Sequence, residues 1–412
     1  MRRNTEAHRS PTRREYVKYG GTVLFGGLLA GCTGDSTSDA EPANAENQTQ
    51  TAGTEPAATT AEGGSYTVSM SPVGEVTFES PPETVFTRLT HHADMAFALG
   101  RGDGVTAMHA PDYYDALWNQ FVERLPGVSL DWSGLYSSWE PTKEKLYELD
   151  NDVHLADPAS VFQLGSWSMA DIEEIRDTIS PWFGNSLSDR HQDPPTEWAD
   201  RYQYYGLWEQ FEKVAQAFKE EARFRALDSV RQEMLNTFAD GLPAASERPT
   251  VVMVGASDLE QDIYAYTLDN PGFLTAHTRP LGPHDAFDGT VESGSTVDFE
   301  TLLEADPDVM LFLGGMQPGT SMPDLRSTLE SHPVGSEITA VKNGRLHPQG
   351  ARYQGPILNL FQLEMTAKQL YPEQFGTWPT YEDGPYPEIP EDEQLFDRQR
   401  VADVINGNVG DE

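Results

Sequence analysis

The fold of this chain is decided by a pattern that occurs twice: EKLYELDNDVHL at residues 144–155 and ETLLEADPDVML at residues 300–311. Seven of the twelve positions are identical. Each copy begins with apolar residues at helical spacing, continues with an Asp-rich turn and ends in a short apolar, β-branched stretch. This order predicts a short helix, a tight turn and a buried strand, which is the helix-to-strand step of a parallel sheet. Because the copies begin 156 residues apart, we expect the repeated unit to be a whole lobe.

Between the two copies, residues 207–240 contain neither Gly nor Pro. Apolar residues recur at steps of three and four from Leu207 to Phe238, and Gly241 and Pro243 follow. The pattern predicts one amphipathic helix of about 50 Å, at 1.5 Å per residue. We therefore expect a single long helix over residues 206–241 that joins an N-terminal lobe (66–205) to a C-terminal lobe (242–371).

Short apolar stretches predict further strands in both lobes. They lie at residues 85–89, 105–108 and 153–156 in the first lobe, and at residues 251–254, 309–313 and 345–347 in the second. Strands that alternate with helices predict an α/β fold with two Rossmann-like lobes, each built on a parallel-rich central sheet. Since ligands of open α/β sheets bind at the carboxyl ends of strands, we expect a ligand cleft between the lobes.

The first residues have the pattern of an export signal. Arg13 and Arg14 precede a polar residue, two apolar residues and Lys18, and an apolar segment then leads to LAGC at residues 29–32. That segment is too short to span a bilayer, which needs about 20 residues. Residues 1–31 therefore resemble a twin-arginine lipoprotein signal peptide, exported by the twin-arginine route. Cys32, the only cysteine of the chain, is the expected lipid attachment site at the outer face of the cytoplasmic membrane. The alternative is a short buried helix with an unmodified cysteine.

Two segments flank the predicted lobes. Residues 32–65 are rich in Ala, Thr and Glu, and residues 35–64 contain no aromatic residue, Lys or Arg, so a disordered tether is expected. Asn47 within it begins an N-glycosylation sequon. Residues 372–412 are acidic and Pro-rich, with a short amphipathic segment at 395–405, and are expected to wrap the surface as an extension.

The charge of the chain is strongly negative, with 66 acidic against 28 basic residues and a net charge of −38. Removal of residues 1–31 takes away six basic and two acidic residues and leaves 64 against 22. Such a surface repels itself at low salt and is tolerated where counterions screen it, as in proteins of extreme halophiles. A nucleic-acid partner is disfavoured, because the sequence has no basic patch to neutralise phosphates.

In their order, these segments resemble a substrate-binding lipoprotein of the class III type that supplies ferric siderophores, haem or cobalamin to ABC importers, in a haloarchaeal form. The resemblance covers about residues 66–371. It rests on the strand, loop and helix over 85–100, the paired repeat, the long helix and AVKNGRLH at 340–347. It implies an ABC permease and its ATPase as partners, and iron only as part of a transported chelate, with no cofactor of the protein's own. A haem- or cobalamin-binding protein of the same class is the alternative.

The resemblance also implies that each lobe offers a glutamate to an arginine pocket on the permease, and by position in the repeat these are Glu144 and Glu300. The helix dipole stabilises a carboxylate in the first turn of a helix, and the carboxylate can form charge-assisted pairs with Arg. The alternative is that both residues only help to start their helices.

Candidate ligand contacts follow the predicted strands or precede the first repeat. They are Arg88, His91, His92, Tyr113 and its neighbour Tyr114, Trp132, Tyr136, Trp139, Arg352 and Tyr353. A ferric chelate is commonly anionic and aromatic, so arginines to meet its charge and rings to stack on it fit this cargo. Each aromatic residue taken alone could equally belong to the core. Direct metal ligation is not predicted, because neighbouring histidines usually point apart.

Catalysis has little support in the sequence. It contains no G-x-S-x-G elbow, no H-E-x-x-H helix and no P-loop, and the Gly-rich residues 100–104 have the wrong spacing for phosphate binding. We therefore expect a protein that is not an enzyme. The weaker alternative is an anchored metal-dependent hydrolase that uses His91, His92 and Asp94.

Overall fold

The computed structural model describes residues 64–256, 259 and 262–409. The predicted signal peptide with Arg13 and Arg14, the lipidation residue Cys32 and the sequon at Asn47 lie outside the described residues. Within the described ranges, no helix combines the length and the apolar character that crossing a bilayer requires.

The strands of the described part are β1 (Tyr66–Met70), β2 (Gly74–Phe78), β3 (Val85–Thr87), β4 (Val105–Met108), β5 (Tyr136–Ser137), β6 (Val153–Leu155), β7 (Thr250–Gly255), β8 (Ile263–Tyr266), β9 (His284–Asp285), β10 (Ser295–Val297), β11 (Val309–Leu313) and β12 (Leu346–Pro348). Its α-helices are α1 (Thr90–Ala98), α2 (Pro111–Val122), α3 (Lys143–Leu149), α4 (Pro158–Phe162), α5 (Met169–Thr178), α6 (Thr196–Ala199), α7 (Leu207–Phe218), α8 (Glu221–Gly241), α9 (Phe299–Ala305), α10 (Met322–Ser331), α11 (Thr339–Lys342), α12 (Pro356–Leu370), α13 (Pro372–Phe375) and α14 (Arg398–Ile405).

Each lobe is built on its own sheet. In the first lobe four parallel strands lie in the order β5-β4-β3-β6. In the second lobe the order is β10-β8-β7-β11-β12, and β9 also pairs with β7. Strands β7, β11 and β12 are parallel to one another, whereas β8 is antiparallel to both of its neighbours, β7 and β10. All six predicted strands are present, and the predicted two-lobed α/β fold with parallel-rich sheets is confirmed.

The sequence repeat is a structural repeat at the level of single hydrogen bonds. Asp152, just before β6, accepts at Oδ2 from the backbone N–H of Thr84 at 2.8 Å. Asp308, just before β11, accepts in the same way from the N–H of Thr250 at 2.9 Å. Both threonine hydroxyls also donate to the same carboxylate oxygens. The Asp of the repeat therefore ties the start of its strand to the start of the neighbouring strand in each lobe.

The prediction of one long bridging helix is wrong. Helix α7 ends at Phe218, and Lys219 adopts a left-handed conformation with φ of 57°. The N–H of Glu220 donates to the carbonyl of Ala215 at 2.9 Å, which closes α7 in a Schellman-type cap. Helix α8 then runs back along α7, since Trp208 near the start of α7 stacks with Arg231 in the middle of α8 at 5.0 Å. The segment is thus an antiparallel helical pair instead of a rod.

Every residue of helix α12 is buried. It follows β12 of the second lobe in sequence but packs against α1 and α2 of the first lobe. The carboxylate of Asp94 in α1 accepts the N–H groups of Ile357 (3.2 Å) and Leu358 (3.0 Å) at the start of α12. Asp94 therefore satisfies helix N–H groups that have no partner within the helix.

The C-terminal extension is also part of the packed body. Tyr386 is fully buried, and its N–H donates to the carbonyl of Gln120 in α2 at 2.9 Å. Further back, the carbonyl of Tyr381 accepts from Arg326 in α10 of the second lobe at 3.1 Å. Residues 372–409 thus contact both lobes.

Candidate ligand-binding site

All four strands of the first sheet deliver a side chain to one edge. Arg88 follows β3, His109 follows β4, Trp139 follows β5 and Ser160 lies shortly after β6. Because these strands are parallel, their carboxyl ends meet at the same edge, where ligands of this type of sheet bind. The first lobe therefore presents polar and aromatic groups at the place that the sheet topology favours.

Arg88 is the cation at the centre of this edge. Its Nε donates to the Trp139 carbonyl at 3.1 Å, its Nη1 donates to Ser160 Oγ at 2.8 Å, and its guanidinium lies 5.0 Å from the centre of the Trp139 ring. Burial lowers the pKa of Arg88, and the neighbouring Tyr353 and Asp157 oppose that shift. With only 5% of its surface exposed, the guanidinium is held in one orientation.

The second lobe contributes Arg352 and Tyr353 from the loop after β12. The Tyr353 carbonyl accepts from the hydroxyl of Thr90 in the first lobe at 2.7 Å. The guanidinium of Arg352 lies 4.9 Å from the Tyr353 ring and 6.0 Å from the Tyr266 ring. Burial raises the pKa of Tyr353, while Arg352 and Arg88 both act to lower it. The two predicted arginines, one from each lobe, thus both act electrostatically on Tyr353, and Arg352 also lies against its ring.

The tyrosine pair after β4 lies beside this centre. Burial raises the pKa of Tyr114, and Tyr353 and Arg352 act on it in opposite directions. Tyr113 packs edge-to-face on Tyr114 with ring centres 5.1 Å apart. Of these two residues, Tyr114 is the one whose hydroxyl shares the environment of the arginine cluster.

His91 and His92 are fully buried, and their rings are in contact with centres 3.8 Å apart and planes inclined by 36°, so the expectation that they point apart is wrong. The His91 ring also lies 4.7 Å from Phe273 and 6.1 Å from Tyr353. Burial lowers the pKa of His91 to about 3, which keeps the ring neutral at physiological pH. These histidines serve the site as packed aromatic rings.

The residues of the hydrolase alternative do not form a metal centre in the described part of the chain. There, no group of three or more His, Cys, Asp or Glu side chains is placed to hold a metal ion. Burial raises the pKa of Asp94 to about 7, and the N–H groups of α12 that it accepts oppose the shift. The carboxylate of Asp94 is thus occupied by hydrogen bonds from the N-terminus of α12.

Several residues of the site were not among the sequence candidates. His109 comes directly after β4 and Ser160 lies shortly after β6, so the rule that ligands bind at the carboxyl ends of parallel strands could have found both. Tyr266 ends β8, which is antiparallel to β7, so that rule does not select it. Asp189 binds Arg352 from an irregular segment of the first lobe. No sequence pattern marks it, because the contact depends on how the two lobes meet.

The two glutamates of the repeat occupy identical positions in their helices. Glu144 and Glu300 are each the second residue of a helix, α3 and α9, and both are exposed. Neither forms a side-chain hydrogen bond or an ion pair with another described residue. One turn after Glu144 lies Tyr147, the only large apolar side chain among the described residues that is exposed, at 41%.

Comparison with known proteins supports the predicted class. Residues 161–348 match the model of a family described as periplasmic binding protein. The fold is similar to that of the iron uptake ABC transporter substrate-binding protein PiuA from Streptococcus pneumoniae (TM-score 0.52, 18% identity, 74% of this chain and 98% of that chain). It is also similar to CeuE of Helicobacter pylori in a nickel–histidine complex (0.52, 15%, 76% and 90%). A third similar fold is the petrobactin-binding protein YclQ of Bacillus subtilis (0.52, 14%, 74% and 99%). Among curated proteins, no sequence match was found.

At these identities the structural likeness establishes the fold, which is that of the two-lobed periplasmic binding proteins. The predicted resemblance to class III substrate-binding proteins is confirmed by the family match together with this fold.

Proposed function

We propose that this protein is an extracellular binding protein, anchored by a lipid on Cys32, that captures a ferric siderophore-type chelate and delivers it to an ABC permease through Glu144 and Glu300. The observation that carries this proposal is that an arginine from each lobe lies against an aromatic ring of the candidate site, Arg88 at 5.0 Å from the Trp139 ring and Arg352 at 4.9 Å from the Tyr353 ring, and that both act to lower the pKa of Tyr353. Iron belongs to the cargo, and the ATPase of the transporter supplies the energy for uptake.

The charge of the site argues for an anionic cargo. The chain carries a net charge of −38, so its long-range field repels anions. Fixed guanidinium groups at the lobe junction reverse that field locally, and Arg88 and Arg352 both lie against aromatic rings. Rings and guanidinium groups together match a ferric chelate with catecholate-type ligands.

We expect Arg88→Gln to weaken binding of a trianionic ferric tris-catecholate, such as ferric enterobactin, by about tenfold or more, since a hydrogen bond to a charged group contributes about 1.5–3 kcal/mol. Quenching of tryptophan fluorescence would measure the affinity. Arg101→Gln is the matched control, because Arg101 pairs with Glu220 at 3.0 Å and is not part of the cluster.

The same titration separates the possible cargoes. Equal affinity of wild type and Arg88→Gln for the tris-catecholate would place the anion elsewhere. Tighter binding of haemin or cyanocobalamin than of any ferric chelate would favour the haem or cobalamin alternative within the same class.

The lipid anchor has its own test. Cys32 is the only thiol of the chain, so a thioether-linked lipid can attach nowhere else. We expect the wild type in the membrane fraction and Cys32→Ser in the medium or unprocessed. Metabolic labelling with a radioactive precursor of the membrane lipids of the host checks this result, and equal labelling of wild type and variant would contradict the anchor.

A further inference from the structure

An ion pair between the half-buried Arg352 and the fully buried Asp189 joins the two lobes inside the candidate site. The Nε of Arg352 lies 2.8 Å from Asp189 Oδ2, and Nη2 donates to the same oxygen. Arg352 belongs to the loop after β12, whereas Asp189 ends a 3-10 turn (Leu187–Asp189) of the first lobe. The guanidinium that we expect to meet the cargo therefore already holds an anion of the protein itself.

Asp189 is poorly satisfied for a buried carboxylate. Its side chain is fully buried, yet Oδ1 has no hydrogen-bond partner among the described residues. Asp157, a buried carboxylate nearby, accepts from Ala159 N–H (2.8 Å), from Ser186 N–H (2.8 Å) and from the Tyr202 hydroxyl (2.6 Å). A buried carboxylate oxygen without a partner destabilises the fold. The stability of the fold therefore explains a buried carboxylate at Asp157, but it does not explain one at Asp189.

The segment that carries Asp189 also makes the direct contact between the lobes. The side-chain amide of Asn270 donates to the Arg190 carbonyl at 3.2 Å. At Gly272 a Cβ atom would lie 2.0 Å from the carbonyl oxygen of Asp189, so the two backbones are in contact there. Moving Asp189 off Arg352 would therefore loosen the contact of residues 187–190 with residues 270–275.

We propose that Asp189 is an internal counter-anion of the ligand site, which the anionic group of the cargo replaces on Arg352. This inference rests on the proposed function, because it assumes that the lobe junction binds an anionic chelate. Only a cargo that binds the guanidinium more strongly than Asp189 does would separate the lobes at this point. A neutral chelate offers no anion to compete and leaves the pair intact, so Asp189 lowers the affinity for anionic cargo and leaves the affinity for neutral cargo unchanged.

The test is a titration of wild type, Asp189→Asn, Arg352→Gln and the double variant with two ferric chelates of different charge. Ferric enterobactin is a trianionic tris-catecholate, and ferrichrome is a neutral tris-hydroxamate. We expect Asp189→Asn to bind the trianion about tenfold more tightly, because the competing charge is gone, and to leave the affinity for the neutral chelate within about twofold. In the Arg352→Gln background, Asp189→Asn should give little of that gain.

Two controls make the result specific. Asp193→Asn removes an exposed charge four residues away and should change neither affinity. In the ligand-free protein, hydrogen exchange of residues 270–275 should be faster in Asp189→Asn than in wild type. Asp189→Ser, which removes the same charge with a smaller side chain, should behave like Asp189→Asn and covers the case in which that variant fails to fold.

Unchanged or weaker binding of the trianion by both Asp189 variants, or an equal gain for the neutral chelate, would overturn the inference while leaving the proposed function in place. Unchanged hydrogen exchange of residues 270–275 would also overturn it. A wild type that binds neither chelate would overturn the proposed function and this inference together.

Discussion

Replacing Arg398 by Met is expected to destabilise the folded protein by about 3–5 kcal/mol, the cost of removing one partner of a buried ion pair. The Nη2 of Arg398 lies 2.7 Å from Glu364 Oε2, with the side chains 6% and 0% exposed. Glu364 lies in α12 and Arg398 in α14, so the pair fastens the extension to a fully buried helix. Without Arg398, the Glu364 carboxylate would keep only the Tyr386 hydroxyl and the Leu395 N–H, both at 2.7 Å, as partners.

The surroundings of the guanidinium increase this effect. Arg398 lies over the rings of Phe361, Tyr386 and Phe396, at 5.5, 5.3 and 5.7 Å from their centres. Water therefore has little access to solvate a carboxylate left behind there. We expect Arg398→Met combined with Glu364→Gln to be more stable than Arg398→Met alone, because the double variant buries no unpaired charge.

Urea unfolding followed by circular dichroism at one fixed salt concentration measures these differences. Arg400→Met is the matched control, since Arg400 lies in the same helix and pairs with Glu233 at 2.8 Å on the surface, where the side chains are 35% and 64% exposed. An exposed pair contributes about 0–1 kcal/mol. Equal losses in Arg398→Met and Arg400→Met would show that the buried pair does not hold the extension.

The repeat was predictable because its geometry is local. Helix, turn and strand follow one another within twelve residues, and Asp150 and Asp306 take the same left-handed conformation, with φ of 47° and 37°, at the ends of α3 and α9. A pattern repeated in sequence then gives the same short-range hydrogen bonds twice. Because neighbouring residues determine this geometry, the lobes and their strands could be predicted from the sequence.

The break between α7 and α8 could not be predicted from the sequence in the same way. The apolar period continues across it, and Lys219 is not a residue that usually ends a helix. Tertiary contacts stabilise the turn, since Glu220 pairs with Arg101 at 3.0 Å and with Arg223 at 3.1 Å. Only one of these partners is near in sequence. A helix boundary that depends on a distant arginine leaves no mark in the periodicity.

The candidate site could likewise be predicted only in part. Arg88 and Arg352 follow strands, and sheet topology alone places them at ligand-facing edges. Asp189 reaches Arg352 across 163 residues, and its position depends on how the lobes dock. The sequence therefore selects Arg88 and Arg352 as candidate cations, whereas only the structure shows that the carboxylate of Asp189 binds Arg352.

The chain passes from one lobe to the other through α7 and α8, and several further contacts also hold the lobes together. Helix α12 is capped by Asp94 of the first lobe, and the extension contacts α2 and α10 through Tyr386 and Tyr381. These contacts lie on packed helices and are costly to break. The Arg352–Asp189 pair, with one carboxylate oxygen unsatisfied, is the weaker link, and we expect movement on ligand binding to be concentrated there.

Loss of both Glu144 and Glu300 is expected to reduce uptake of the chelate to background while ligand affinity and melting temperature stay nearly unchanged. Each carboxylate that pairs with an arginine of the permease contributes about 1.5–3 kcal/mol, so two together correspond to about a hundredfold or more in docking affinity. Both side chains are exposed, and exposed substitutions usually change stability by less than about 0.5 kcal/mol. Each single alanine variant should be intermediate, because the remaining carboxylate still docks one lobe.

The repeat itself supplies the control for this experiment. Glu148 and Glu304 are equivalent to each other, are exposed and lie in the same two helices, α3 and α9, but in the last turn instead of the first. Their double alanine variant removes the same charge from the same helices, so a loss of uptake caused by net charge alone would appear in both double variants. Uptake of radioactive iron as the chelate by intact cells measures the rate, and fluorescence quenching of the purified variants confirms that binding persists. Wild-type uptake by the Glu144→Ala/Glu300→Ala variant would show that docking uses another surface, whereas loss in this variant alone would place the permease against the first turns of the two repeated helices.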